Sequence, residues 1–204
     1  MSNPAALPPD DLQAIRNAIR KKYAEVSCCA AGKFQYPTGR EGATALGYDP
    51  AIVNGVPPEV LESFCGVGNP FRIREIPEGS VVLDIGCGAG FDLIVASRLT
   101  GPGGEVHGVD LTREMAERAR QNLARAGATN TTVHCVESEF LPFGDQMFDV
   151  VLSNGVVNLS PRKQELFREI HRALKAGGRF QFADIVAERE IPKELTGSLD
   201  AWSQ

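Results

Sequence analysis

Val81-Val82-Leu83-Asp84-Ile85-Gly86-Cys87-Gly88-Ala89-Gly90 decides the fold. A nearly continuous apolar run, as a strand buried on both faces requires, leads into glycines at alternate positions. The apolar stretch Phe91–Leu99 follows as a helix. In an open sheet of parallel strands, the crevice beyond the carboxyl ends is where ligands bind. Further strands are expected at 105–110, 132–136, 148–153 and 179–186. Helices are expected at 113–126, with Thr112 as N-cap and Gly127 at its end, and at 161–174. For the latter, Ser160 is read as N-cap, Pro161 as first-turn residue and Gly177 as the stop. The order β-α-β-α-β-β-α-β is that of an α/β doubly wound parallel sheet.

Upstream the text is less regular. Nine of the 13 prolines fall in residues 1–80. Leu12, Ile15, Ile19, Tyr23 and Val26 recur at helical spacing and predict an amphipathic helix over 10–26. Arg16, Arg20, Lys21 and Lys22 read as its solvated face. Residues 27–57 read as mostly loop, and a short helix is expected from Pro58. The chain has 204 residues, 43% hydrophobic and 23% charged, with a net charge of −5. That is an ordinary globular composition, and the acidic balance argues against nucleic-acid binding. No apolar run is long enough to span a membrane. The Pro-rich start lacks a signal peptide's apolar segment, and five cysteines at irregular spacing read as free thiols, so a cytoplasmic location is expected.

The glycine turn suits either a dinucleotide or S-adenosylmethionine. A dinucleotide fingerprint needs a small residue where Phe91 stands, and Asp84 would repel a pyrophosphate but suit a cationic amino group. The spacing resembles motif I of the seven-strand S-adenosylmethionine methyltransferases, whose fold is Rossmann-like. Gly108-Val109-Asp110 ends the second strand with a carboxylate for the ribose hydroxyls. Glu137-Ser138-Glu139-Phe140-Leu141-Pro142 resembles that superfamily's adenine-contacting stretch, with Glu137 and Ser138 in the contacting positions. The resemblance implies S-adenosyl-L-methionine as cofactor and strand order 3-2-1-4-5. The implied cofactor residues are Asp84, Gly86, Cys87, Gly88, Gly90, Asp110, Leu111, Glu137, Ser138, Ser153 and Asn154. Residues 1–79 are expected to form a helical and loop lid over the core at 80–204, in one compact unit.

From about Arg16 onward the chain resembles the bacterial arsenite methyltransferases. The marks are Tyr23 with Cys28-Cys29, Gly66-Val67-Gly68-Asn69-Pro70, Val109–Met115, Ser153–Pro161 and Phe180–Val186. In that family cysteine thiolates hold trivalent arsenic, a soft centre. Here Val67 and Gly155 stand at two of those cysteine positions, and the third lies beyond a tryptophan like Trp202 near the last residue, Gln204. The remaining acceptor candidates are Cys65, Cys28 and Cys29, with Asn154 beside them. Tyr23, Tyr36 and Asp49 are the other titratable groups there, and a soft acceptor needs no general base. Asp92 reads as an acid favoured by the helix dipole. His107, His134 and His171 lack partners at metal spacing, so no metal is assigned. Eighteen residues after Val186 hold at most one helix, so the family's last two strands are expected to be missing. The fifth strand would then be an open edge suited to self-association.

The expected activity is methylation of a small, soft acceptor, a metalloid or a metalloid–thiol complex. The alternatives are methylation of a different small molecule and a cofactor-binding protein that has lost acceptor chemistry. A nicotinamide oxidoreductase is disfavoured by Phe91 and Asp84.

Overall fold

The computed structural model describes residues 8–186. Five strands, β1 (Val81–Ile85), β2 (Glu105–Asp110), β3 (Thr131–Cys135), β4 (Phe148–Asn154) and β5 (Leu174–Ala183), form one sheet. Its order is β3-β2-β1-β4-β5, and every pairing is parallel. The expected doubly wound order is therefore the observed one. The positions of Trp202 and of any strands after Val186 lie outside the described residues.

Side chains alternate across the sheet and build two cores. Val82, Val106, Val133, Val150 and Leu152 face α5 (Phe91–Thr100) and α6 (Arg113–Ala126). Leu83, Ile85, Val109 and Val151 face α7 (Lys163–Ala173) and the loop after β3. Phe148 breaks the alternation by joining Val151, because the register with β5 is irregular between Phe148 and Val150. α5 is buried on nearly every side, as its uniformly apolar sequence requires.

α1 (Pro9–Val26) runs one residue longer at its start than its periodicity marked, and lies against α6. Between residues 27 and 57, expected to be loop, are two short helices, α2 (Gly39–Ala45) and α3 (Pro50–Asn54); α4 (Pro58–Leu61) follows. Tyr48, Val53, Val60, Leu61 and Phe64 from this stretch share the first core with Phe91 and Ile94. Tyr48, Phe64 and Phe91 form a ring cluster with centroids 5.2–5.5 Å apart.

Two local readings at the C-terminal end change. α7 begins at Lys163 with Arg162 at the cap position, while the Ser160 hydroxyl, two residues before it, accepts the Arg162 N–H at 3.2 Å. Gly177 lies inside the span of β5, in a left-handed excursion (φ +80°) between Leu174, paired to Phe148, and Arg179, paired to Val150. Among the described residues no helix is long and apolar enough to cross a membrane.

Candidate active site

The turn after β1 is folded by its own geometry. The amides of Gly86 and Cys87 donate to the Val109 carbonyl at 2.8 and 3.0 Å, tying the turn to the end of β2. Gly86 has φ +69°, and a Cβ there would lie 2.3 Å from Val156 Cγ2. Gly88 has φ +52° and faces open space. Only glycine meets both demands without strain.

Asp110, 8% exposed, completes the turn. Its Oδ2 accepts the Gly88 N–H at 2.8 Å and its Oδ1 the Thr112 N–H at 2.8 Å. Burial pushes its carboxyl up to about 6, against the pull of those hydrogen bonds. The Thr112 side chain and the Leu111 N–H also donate toward this carboxylate.

A cavity opens here, beyond the carboxyl ends of β1, β2 and β4 and under α1. Of the residues singled out in the sequence, Gly86, Gly88, Asp110, Leu111, Ser138, Asn154 and Cys65 line it. The remaining ones lie elsewhere. Asp84 is 2% exposed, and burial together with Asp92 and Asp110 holds its carboxyl well above the usual range. Cys87 is buried beneath the turn beside Gly108, and Gly90 caps α5. Ser153 is buried and donates to the Ile85 carbonyl at 3.2 Å. Glu137 is exposed and lines an outer groove with Arg20 and Cys135. Cys28 and Cys29 are exposed and do not line the cavity.

Glu139, in the loop after β3 and given no role by the sequence, lines the cavity. It pairs with Arg16 of α1 and accepts the Ser160 hydroxyl at 2.9 Å. Arg20 donates to the carbonyls of Leu111 at 3.3 Å and Glu137 at 3.4 Å. Arg16 and Arg20 are thus clasps between α1 and the cavity rim, not a solvated face. A basic residue on an amphipathic helix gives no local sign of such a partner, which lies more than 90 residues away.

Asn154, at the end of β4, joins the core to the loop before β1. Its Oδ1 accepts the N–H groups of Val67 at 2.9 Å and Gly68 at 3.1 Å. Its Nδ2 donates to the Gly68 carbonyl at 2.9 Å and to Asp92 Oδ2 at 3.1 Å. The Tyr48 hydroxyl donates to Asp92 Oδ1 at 2.7 Å. Asp92, 7% exposed, is therefore more than a dipole acid; burial raises its carboxyl to about 6 against those two hydrogen bonds. Tyr48 had no sequence signal beyond being aromatic.

Cys65 begins this loop. Its carbonyl accepts the Tyr36 hydroxyl at 3.1 Å, and Tyr23 shares the cavity wall with it. Burial, then Asp110, pushes the Cys65 thiol up to about 12, and Lys22 pulls the other way. Burial also raises the phenols of Tyr23 and Tyr36. Val67 and Gly155 are neighbours: a Cβ on Gly155 would stand 3.9 Å from Val67 Cβ.

Residues 76–204 match a family model described as Methyltransferase domain. An arsenite methyltransferase of Halobacterium salinarum is 36% identical over 199 residues, which are 91% of this chain and 51% of that protein. One from Aquipseudomonas alcaligenes is 37% identical over 151 residues, 71% of this chain and 43% of that protein. The crystal structure of an arsenic(III) S-adenosylmethionine methyltransferase from Chlamydomonas reinhardtii superimposes with a TM-score of 0.66 at 39% identity, covering 73% of this chain and 53% of that one. The chain spans about half the length of the curated relatives it matches. A glycine turn tied to the end of β2, a cavity at the carboxyl edge of a 3-2-1-4-5 sheet, and these likenesses agree: the chain belongs to the methyltransferase domain family.

Proposed function

We propose that the chain binds S-adenosylmethionine in this cavity and methylates a small, soft acceptor of the arsenite type at the Cys65 side. The supporting observation is the placement of the Asp110 carboxylate and the open Gly88 backbone in one cavity with the Cys65 thiol. The residues present fit the cofactor. Gly88 is a cradle that any Cβ would begin to fill, and Asp110 lines the same cavity with a carboxylate that accepts from hydroxyl donors. In this reading Gly86 and Gly88 hold the methionine part. Asp110 holds the ribose, and Ser138 with the Arg16–Glu139 pair borders the adenine.

When bound, that cofactor supplies a methyl group on a positively charged sulfur, open to displacement by an acceptor lone pair. The protein's part is to orient and to exclude water. Asp84, Asp92 and Asp110 are three buried carboxyls around the turn, and they favour a cation there. α1, latched by Arg16 and Arg20, covers the cavity; residues 1–79 act as the lid and 80–204 as the core. Cys65 gives the acceptor one sulfur ligand. An acceptor lone pair needs no proton removed, in keeping with a site whose phenols and thiol are held protonated. An acceptor delivered as a thiol complex would exchange one ligand onto Cys65: the Cys65 sulfur bond forms as one carrier sulfur leaves, and the leaving thiolate takes the Cys65 proton and departs as thiol. The free thiols are in keeping with a cytoplasmic protein, and the outer edge of β5 with self-association.

Val67 and Gly155 favour a second reading, a cofactor-binding protein without acceptor chemistry, since neither side chain can ligate a metalloid. The experiment is formation of S-adenosylhomocysteine from S-adenosylmethionine, with and without arsenite, in excess glutathione. Arsenite-dependent product, lost in Cys65→Ser, is expected. Cofactor binding without arsenite-dependent product would leave the second reading standing and remove the first.

A further inference from the structure

We infer that Asp92, with Tyr48, is a positioning residue for the acceptor side of the cavity: it fixes the orientation of the Asn154 amide, and through it the Cys65–Gly68 loop. The inference deepens the proposed function and rests on it for the word acceptor, although not for the linkage itself.

An asparagine amide offers an acceptor on one side and two donors on the other. Turned over, Asn154 would set NH₂ against the N–H groups of Val67 and Gly68, and donor would face donor. The ionised Asp92 carboxylate can only accept, so it forces Nδ2 toward itself and leaves Oδ1 to the loop. The second carboxylate oxygen is taken by Tyr48, which fixes the carboxylate's own rotation. The Asn154 amide is packed hard against the loop: a Cβ on Gly66 would lie 2.4 Å from Nδ2. Four separate stretches of chain meet here: the connection between α2 and α3 through Tyr48, the first turn of α5, the end of β4, and the loop carrying Cys65. Charged partners make such hydrogen bonds roughly twice as strong as neutral ones.

The test is amide hydrogen exchange resolved at Val67 and Gly68 in the full chain, with S-adenosylhomocysteine, a probe whose sulfur is uncharged, titrated in parallel. Asp92→Asn is expected to speed exchange at both amides by about tenfold, since a charge-assisted acceptor is exchanged for a neutral one. Tyr48→Phe is expected to act in the same direction and more weakly. The reciprocal variant Asp92→Asn with Asn154→Asp restores the acceptor for the loop N–H groups and the bond between 92 and 154, since a carboxylate at 154 accepts and an amide at 92 donates to it, while the Gly68 carbonyl loses its donor. At Val67 it is expected to recover protection that Asp92→Asn alone has lost, which a merely structural role for Asp92 would not produce. Unchanged exchange at Val67 and Gly68 in both single variants overturns the inference. So does a reciprocal variant less protected at Val67 than Asp92→Asn. Absence of S-adenosylhomocysteine binding by the unaltered chain would instead remove the proposed function and leave the linkage to be judged on exchange alone.

Discussion

Asp110→Ala is expected to bind S-adenosylmethionine at least about a hundredfold more weakly than the unaltered chain. Two charge-assisted hydrogen bonds to the ribose would be lost, each contributing about 1.5–3 kcal/mol. The substitution also orphans the N–H groups of Gly88 and Thr112, so the turn that cradles the ligand loosens. Thr112 is 2% exposed, and a buried donor left unpaired costs about 1–3 kcal/mol of stability. Asp110→Asn keeps one acceptor and should fall between. Calorimetric titration measures both, and an affinity unchanged in Asp110→Ala contradicts the assignment.

The same carboxylate sets a pH dependence of unusual sign. Its folded value, about 6, lies above the ordinary carboxylate range, near 3.9. Its contribution to stability is therefore most favourable below about pH 4 and is lost as pH rises toward 6, opposite to a salt-bridged acid. Ligand binding runs the other way, because hydroxyl donors and a cation both favour the ionised form. Affinity should rise through pH 6 and level off, with protons released on binding; Asp92, also at about 6, adds to this. Titrations in buffers of different ionisation heat count those protons.

Gly86→Ala is expected to destabilise the fold, with Tm lower by roughly 5–20 °C for a chain of this size. A non-glycine residue at φ +69° costs about 1–2 kcal/mol, and a methyl 2.3 Å from Val156 Cγ2 adds about 1–3 kcal/mol of overpacking. Gly88→Ala is the contrasting case. Its φ of +52° carries the conformational cost, but its Cβ meets nothing within 4 Å. Scanning calorimetry should show a small loss of Tm there, and titration a larger loss of affinity. Equal melting of the two variants would contradict the geometry given for the turn.

The sheet was legible because its signals are local. The apolar run before Gly86, the carboxylate ending β2 and the stop at Gly127 each report on their own neighbourhood, and together they mark a doubly wound sheet, while its strand order comes from the family resemblance. α2 escaped because Gly39–Ala45 is short and rich in glycine and alanine, with no apolar period to read. The site was half legible for a different reason. Gly86, Gly88, Asp110 and Asn154 sit at strand ends, where topology alone places them. The partners of buried polar groups depend on tertiary approach: Arg16 meets Glu139 across 123 residues, and Asp92 meets Asn154 across 62. Periodicity says which face a side chain takes and nothing of what waits there. Glu137 and Ser138 align with the adenine contact, and of the two only Ser138 lines the cavity, beside Glu139.

The cavity and its lid are tested together by hydrogen–deuterium exchange of the whole chain with and without S-adenosylmethionine. The expected result is protection over residues 86–90, 110–112 and 138–141, with slower exchange also in α1 and in residues 28–70 as the lid tightens on the ligand. Exchange unchanged in all of these segments at saturating ligand, or protection confined to other parts of the chain, would contradict the placement of the cofactor.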